Sequence, residues 1–305
     1  MTSVVIPSYN RPKALSECLR SLDVQEAALD YEVVVIDDGS QFPLTDSIDT
    51  LGYSFPLRIF RQENQGPGAA RNYGVHMAEG DIVLFTDDDC QPGKHWVQSM
   101  AEAVKPQVMI GGLTKNAVDS NPYSMASQCL IDALYTYFEG TRLFFITSNN
   151  MACRKDDFLE LGGFDASLFE TSAGEDREFT TRWIYKGWEV MHNRNACIDH
   201  YHAQTLTSFY RMHAKYGRAA VAYWTSVKGL ENQMCNDVKK ALVTSKWPFQ
   251  IYVMPFPWRH TIYKKLGFGT KLRLSVLLVL SQVFNVIGYY SKKLSLTKAS
   301  ISTFL

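Results

Sequence analysis

With 305 residues, 46% of them hydrophobic, the chain can bury a real core, either as one large α/β domain with an appendage or as two modest domains, and disorder is excluded as the default. Its 31 basic residues balance 31 acidic ones without forming long basic runs, so nothing favours nucleic acid as the main partner. Six cysteines (Cys18, Cys90, Cys129, Cys153, Cys197, Cys235) are scattered without a C-x-x-C pair, which argues against a zinc site or a disulfide framework and for reduced thiols in a cytosolic chain.

Strand-like Thr2 to Ile6 begins almost at once, with no basic segment followed by an apolar signal region, so secretion is not expected. Val4 to Ile6 reads as a buried strand ending at Pro7-Ser-Tyr9-Asn10. Leu15, Cys18, Leu19 and Leu22 then recur at helical spacing, with Asn10 suited to cap that helix and Pro12 to its first turn. A second apolar run, Tyr31 to Ile36, ends at Asp37-Asp38-Gly39-Ser40. Leu57 to Phe60 is a third, followed by the glycine-rich Gly66-Pro-Gly68-Ala-Ala-Arg71 and a helix carrying Ala69, Tyr73 and Met77 on one side. The fourth, Ile82 to Phe85, stops at three consecutive carboxylates, Asp87, Asp88 and Asp89.

Adjacent carboxylates repel one another unless a cation or hydrogen-bond donors sit among them, so the triplet suggests a use; the alternative is a solvated acidic turn capping a helix that begins near Pro92. Strands alternating with helices imply a mostly parallel sheet with right-handed crossovers. Ligands of such sheets bind beyond the carboxyl ends of the strands, where Tyr9, Asp38 and Asp87 to Asp89 converge. The stretch Gly66 to Arg71 is neither G-x-G-x-x-G nor a Walker loop, which weakens a dehydrogenase or kinase reading. Acids at two strand ends suggest instead a nucleotide held partly through a divalent metal.

In order along the chain stand Val5-Ile-Pro-Ser-Tyr-Asn-Arg-Pro12, Asp37-Asp-Gly-Ser40, Gly68-Ala-Ala-Arg-Asn72, Phe85-Thr-Asp-Asp-Asp89, Thr147-Ser-Asn-Asn150, Gly162-Gly-Phe-Asp165 and Gly174-Glu-Asp-Arg-Glu-Phe179. This series, covering roughly the first 190 to 220 residues, resembles the inverting nucleotide-sugar glycosyltransferases of family two. The resemblance implies a type-A glycosyltransferase fold: Rossmann-like α/β, a mostly parallel sheet flanked by helices, with a C-terminal helical extension. It implies a catalytic domain over 1–220, with a nucleotide-binding half to about 112 and an acceptor half over about 113–220, followed by an extension over 221–305.

Carried over by residue, the resemblance puts Pro7, Tyr9, Asp38, Arg71, Asp87 and Asp88 at the nucleotide, with the Tyr9 ring near the base and Asp38 hydrogen-bonding it. Asp87 and Asp89 fill a D-x-D pattern around Mn²⁺ or Mg²⁺, to which His200 or His202 adds a ligand; on a strand those two would share a face. An inverting transfer is an in-line displacement that needs a base for the acceptor hydroxyl; Asp176 matches that position, with Glu175 the second candidate. Both open a helix, whose N-terminus stabilises ionised acids, so an always-ionised, weak base is expected. Asn149 and Asn150 are assigned to the sugar or acceptor pocket, together with Gly163 and Phe164; turn formation and a core role for Phe164 are the structural alternatives.

Arg182-Trp183 falls in the same helix as Glu175-Asp176 and does not match the well-separated Q-x-x-R-W pattern of processive relatives, so single-sugar transfer is expected. The reading is a metal-dependent transferase moving one sugar, from a UDP-sugar by preference, to a hydroxyl of a saccharide or lipid-linked saccharide, in the cytoplasm and at most on the inner face of the membrane. A non-catalytic binding scaffold is the alternative. A nucleotidyltransferase lacks support, because no glycine-rich loop carries the basic residues a triphosphate needs.

From Thr205 the chain reads as helical, with Lys215-Tyr-Gly217-Arg218 a candidate hinge or acceptor element. Trp247-Pro, Pro255-Phe-Pro-Trp258 and Tyr263-Lys-Lys265 then mix aromatics and cations ahead of an apolar segment over 274–290. That segment falls short of the roughly 20 residues a spanning helix needs. It is expected to lie on a membrane surface, pack on the catalytic domain or build a dimer.

Overall fold

The computed structural model describes residues 1–167, 174–227 and 254–302, with side chains to 296; Trp247 and Cys235 lie outside the described residues. Its strands are β1 (Thr2–Ser8), β2 (Tyr31–Asp37), β3 (Leu57–Arg61), β4 (Ile82–Thr86), β5 (Cys90–Pro92), β6 (Val108–Asn116), β7 (Asn150–Arg154) and β8 (Glu189–His200). Its α-helices are α1 (Pro12–Asp23), α2 (Pro67–Met77), α3 (Trp96–Ala103), α4 (Pro122–Phe138), α5 (Lys155–Glu160), α6 (Glu175–Tyr185), α7 (Leu206–Ser226), α8 (Phe256–Arg259), α9 (Thr261–Lys264) and α10 (Phe268–Ser302). The chain divides into two compact units, one of residues 1–117 with 145–201, the other of 118–144 with 202–305.

The first unit holds one eight-stranded sheet in the order β3-β2-β1-β4-β7-β6-β8-β5. The β3-β2-β1-β4 run is parallel throughout, as the apolar segments imply, and β6 pairs parallel with β8; β7 and the short β5 run antiparallel to their neighbours. Val4, Ile6, Val33, Val35 and Leu84 are fully buried against Leu15, Cys18, Leu19 and Leu22 of α1, so the helical spacing foreseen after Pro12 faces the core. On the opposite side Val34, Ile36 and Ala70 bury with Tyr73 and Met77 of α2 packed against them. A Cβ on Gly74 would sit 2.4 Å from Val5, which explains the glycine: α2 crosses β1 too closely for any side chain there.

Two local expectations are corrected. Asn10 does not cap α1: Arg11 holds the N-cap position without a side-chain bond, while Asn10 adopts a φ of 56° and accepts from the Gln41 amide at 2.7 Å. The left-handed turn directs its carboxamide to the loop after β2 instead of to the helix. No helix begins at Pro92 either: Cys90–Pro92 pairs with Ile198 to His200 as an edge strand, and α3 starts at Trp96.

The second unit is helical among its described residues. Ala126, Cys129, Leu130 and Ala133 of α4 bury with Phe209 of α7, Tyr263 of α9 and Leu274, Leu277 and Leu278 of α10. Thr205 caps α7 through a reciprocal bond pair with Ser208, and Tyr263 donates its hydroxyl to Asp132 at 2.6 Å. Gly217 is not a hinge. It lies inside α7, where a Cβ would come within 1.9 Å of the Asn285 carbonyl oxygen, and Gly288 meets Ala214 at the same distance, so paired glycines let α7 and α10 touch backbone to backbone. The apolar segment over 274–290 is part of a 35-residue helix, and its stretch 268–296 is long and apolar enough to cross a membrane, longer than the sequence suggested.

Among the described residues Cys18, Cys90, Cys129, Cys153 and Cys197 are free thiols.

Candidate active site

Because β1, β2 and β4 are parallel, with β1 and β2 ending level at Ser8 and Asp37 and β4 ending at Thr86, opposite Ile6, the residues after them share one sheet edge. The acid triplet sits there as the chain turns from β4 into β5. Asp88 is fully buried, accepting from Ser8 Oγ at 2.7 Å and facing Arg11 at 3.1 Å. Burial pushes its carboxyl up to about 7, even with Arg11 and Ser8 pulling the other way. Asp89 accepts from Arg11 Nη1 at 2.7 Å through one oxygen and lies 3.4 Å from His200 Nε2 through the other.

Asp87 turns toward Arg71. The Arg71 side chain, buried on α2, donates to Asp87 Oδ1 at 2.5 Å and to Glu175 Oε1 at 3.2 Å. One guanidinium thus ties the end of β4 to the start of α6, two segments separated by 88 residues. Gly68, one turn earlier in α2, packs against the Glu175 side chain at 3.4 Å from the position a Cβ would take.

Glu175 and the half-buried Asp176 open α6 behind Gly174, whose φ of 98° makes the sharp entry. Asp176 accepts from the Ser148 amide at 3.3 Å and the Arg177 amide at 2.7 Å. The helix N-terminus implies an always-ionised, weak base, but burial in this corner opposes the charged form of both acids. Burial, followed by the charge of Asp176, pushes Glu175 up to about 7 despite Arg71. Burial also raises Asp176, against the amide bonds that favour its charged form. Desolvation outweighs the helix end because two acids share one enclosed corner.

The remaining predicted residues separate into exposed groups and groups engaged in the scaffold. Pro7 is buried within β1 beside Ile36, and Tyr9 follows it with 47% of its surface exposed. Asp38 is buried and accepts from the Gln65 and Gly66 amides, each at 2.9 Å, and from Gln62 Nε2 at 2.7 Å, so it shapes the loop that leads into α2. Asn150 is taken up by the core: its Oδ1 accepts from the Trp96 indole at 2.8 Å and its Nδ2 donates to Ala196. Asn149, next to it, keeps a buried carboxamide oxygen with no hydrogen-bond partner.

Phe164 is core as well, centred among Phe85, Phe158 and Phe179 at ring distances of 5.0 to 5.6 Å. Gly163 takes a φ of 67° beneath Asn72, which clamps Phe164 through both its amide and its carbonyl. His200 ends β8, so the strand stops before His202 and the shared-face argument does not extend to it; the His202 carbonyl accepts from Ser124, a bond that does not involve its imidazole.

Arg11 and Ser8 went unassigned in the sequence although they hold Asp88 and Asp89; a proline-flanked arginine carries no local sign of a partner 78 residues away. The donor set around Asp89 suits a divalent cation. A carboxylate oxygen and an imidazole nitrogen 3.4 Å apart can face one ion, whose bonds of about 2.1 Å at right angles set neighbouring ligands about 3 Å apart.

Comparison with known proteins supplies the family. The family model described as glycosyl transferase family 2 matches residues 3–162. A pre-mycofactocin glycosyltransferase of Mycobacterium tuberculosis is 26% identical over 227 residues, 72% of this chain and 46% of that protein. Chondroitin synthase of Escherichia coli is 24% identical over 308 aligned positions, 94% of this chain and 43% of that one; the chain spans less than half the length of either relative. Among solved structures, the mannosyltransferase PcManGT of Pyrobaculum calidifontis, in complex with GDP-Man and Mn²⁺, superposes with a TM-score of 0.59 at 15% identity, covering 93% of this chain and 86% of that one. Staphylococcus aureus TarS in complex with UDP-GlcNAc gives 0.54 at 17% identity, covering 98% and 92%. These likenesses establish the fold as that of type-A glycosyltransferases.

Proposed function

Because this chain belongs to glycosyl transferase family 2, we propose that it is a metal-dependent, inverting transferase that moves a single sugar from a nucleoside diphosphate donor, UDP-linked by preference, to a hydroxyl of a saccharide or lipid-linked saccharide. The observation that carries the reading is Arg71, which bonds Asp87 of the D-x-D segment with one arm and Glu175 of the acid pair with the other. Leaving-group and acceptor chemistry then meet around one buried cation, as a single displacement requires.

Asp89 and His200, with Asp87 beside them, would hold Mn²⁺ or Mg²⁺, and His202 stands as a further ligand in this reading. When bound, the ion supplies positive charge to the departing diphosphate. Tyr9 would lie against the base, beside the loop that Asp38 shapes, with Asn149 offering its unpartnered carboxamide oxygen to the sugar.

Asp176 is the base. Its amide bonds orient the carboxylate, and burial raises its pKa, which makes it a stronger base than an exposed aspartate. As the acceptor oxygen bonds to the anomeric carbon, the bond to the diphosphate oxygen breaks and the hydroxyl proton passes to Asp176. Glu175, engaged by Arg71, keeps the pair in place. Such an enzyme works in the cytoplasm, and its C-terminal unit serves a membrane surface or a second copy of the chain.

Nucleotide release from UDP- and GDP-sugars, measured with Mn²⁺ and again with a chelator, tests this. Turnover with at least one donor that stops on chelation is expected. Binding of donors without release or transfer from any of them would establish the alternative, a nucleotide-sugar-binding scaffold.

A further inference from the structure

The long helix α10 has two opposite apolar faces. Leu274, Leu277, Leu278 and Ser281 are buried against the other helices of its unit, as is Gly288 where α7 touches it. On the other side Leu272, Val276, Val279, Val283, Val286, Tyr290 and Leu294 recur every three or four residues, each between 44% and 62% exposed. At 1.5 Å per residue this strip runs about 33 Å along one side of the helix. Isolated exposed valines need no explanation, but a continuous strip of this length does.

Charge identifies what covers it. Residues 238–305 hold eleven of the 31 basic side chains and none of the 31 acidic ones, although the chain as a whole is neutral. Within α10, Lys271, Arg273 and Lys293 fall roughly 65 to 105° to either side of the strip at 100° per residue, where long side chains reach past an apolar surface to its polar boundary. Exposed Arg259, Lys264 and Lys265 lie just before the helix. Trp258 and Phe268, partly exposed and edge to face at 5.4 Å, stand at the same end, and Tyr290 at the other.

A second copy of this helix would set cation against cation in either orientation, the reverse of the flanking charges that stabilise helix pairs. An anionic lipid surface complements both the strip and its flanks. We propose that α10 docks along the surface of an anionic bilayer, its Val276–Val283–Val286 strip in the acyl boundary and its flanking lysines and arginines among the headgroups. Because the opposite face is committed to α7 and α4, the helix lies in the plane of the membrane rather than crossing it.

The test is flotation of the full chain with phosphatidylcholine vesicles, with and without phosphatidylglycerol, at low and high salt. Binding to the phosphatidylglycerol vesicles alone, reversed by high salt, is expected. Lys264→Gln, Lys265→Gln and Arg273→Gln are surface changes that leave the fold intact, and each should weaken partition about fivefold. The triple change Val276→Ser, Val283→Ser, Val286→Ser should weaken it about tenfold or more.

No flotation of the wild type, or equal flotation with neutral vesicles, would overturn the proposal. A dimer in sedimentation that the serine triple variant converts to monomer would assign the strip to a second copy. A lowered melting temperature with flotation unchanged would make it an internal packing face. Nucleotide release in solution should be the same in all these variants, so this result and that of the transferase assay stand apart.

Discussion

Replacing Glu175 with Gln keeps the shape of the side chain at the mouth of α6 and removes one ionisation. In the wild type, burial raises this carboxyl from 4.5 to about 7 in the folded chain. The folded state therefore binds the proton more tightly than the unfolded state over that interval. Stability contributed by the protonated group is fully present below pH 4.5 and is lost as pH rises through about 7. At about 1.4 kcal/mol per unit the loss is about 3 kcal/mol. Urea denaturation of both proteins from acid to mildly alkaline pH reads the difference directly. The wild type should lose about 3 kcal/mol more than Glu175→Gln across the interval, with unchanged denaturant slope. Parallel curves would show that the corner is wet and that desolvation does not set the protonation of the acid pair.

Arg11→Gln should tighten Mn²⁺ binding to the free protein by up to about fivefold, since the half-exposed guanidinium now neutralises Asp89 in the ion's place; calorimetric titration with the metal alone would read it, and weaker binding would contradict it. Phe164→Ala should cost about 3 to 5 kcal/mol in denaturant melts with donor affinity little changed in the folded fraction, because the ring fills a core of aromatics rather than a sugar pocket. Gly217→Ala should lower stability by about 3 kcal/mol or more, seen as a drop in melting temperature, because the added Cβ meets the Asn285 carbonyl; a neutral outcome would mean that α7 and α10 separate at little cost.

How far the sequence reached follows from which forces act locally. The four parallel strands were legible because each is an apolar run cut off by acids or a turn, and their convergence follows from topology rules. Strand β8 was not, because its residues alternate irregularly between exposed and half-buried and pair across a register shift after Gly112. Asn150 read as a pocket amide since nothing local shows that Trp96, 54 residues earlier, needs its oxygen. The upward shift of Glu175 and Asp176 was not legible for the same kind of reason. A helix N-terminus is visible in sequence, whereas the enclosure that outweighs it is built by α2 and the Ser148 turn. The glycines of the second unit looked like a hinge because close helix contact and flexibility use the same residue.

The most direct measurement is Asp176→Asn, assayed for sugar transfer and, separately, for binding of the nucleoside diphosphate with Mn²⁺. The substitution preserves size and the acceptor oxygen for the Ser148 amide but removes the base. Transfer should fall by at least about a hundredfold while nucleotide affinity changes little. Full transfer activity in Asp176→Asn would contradict the account.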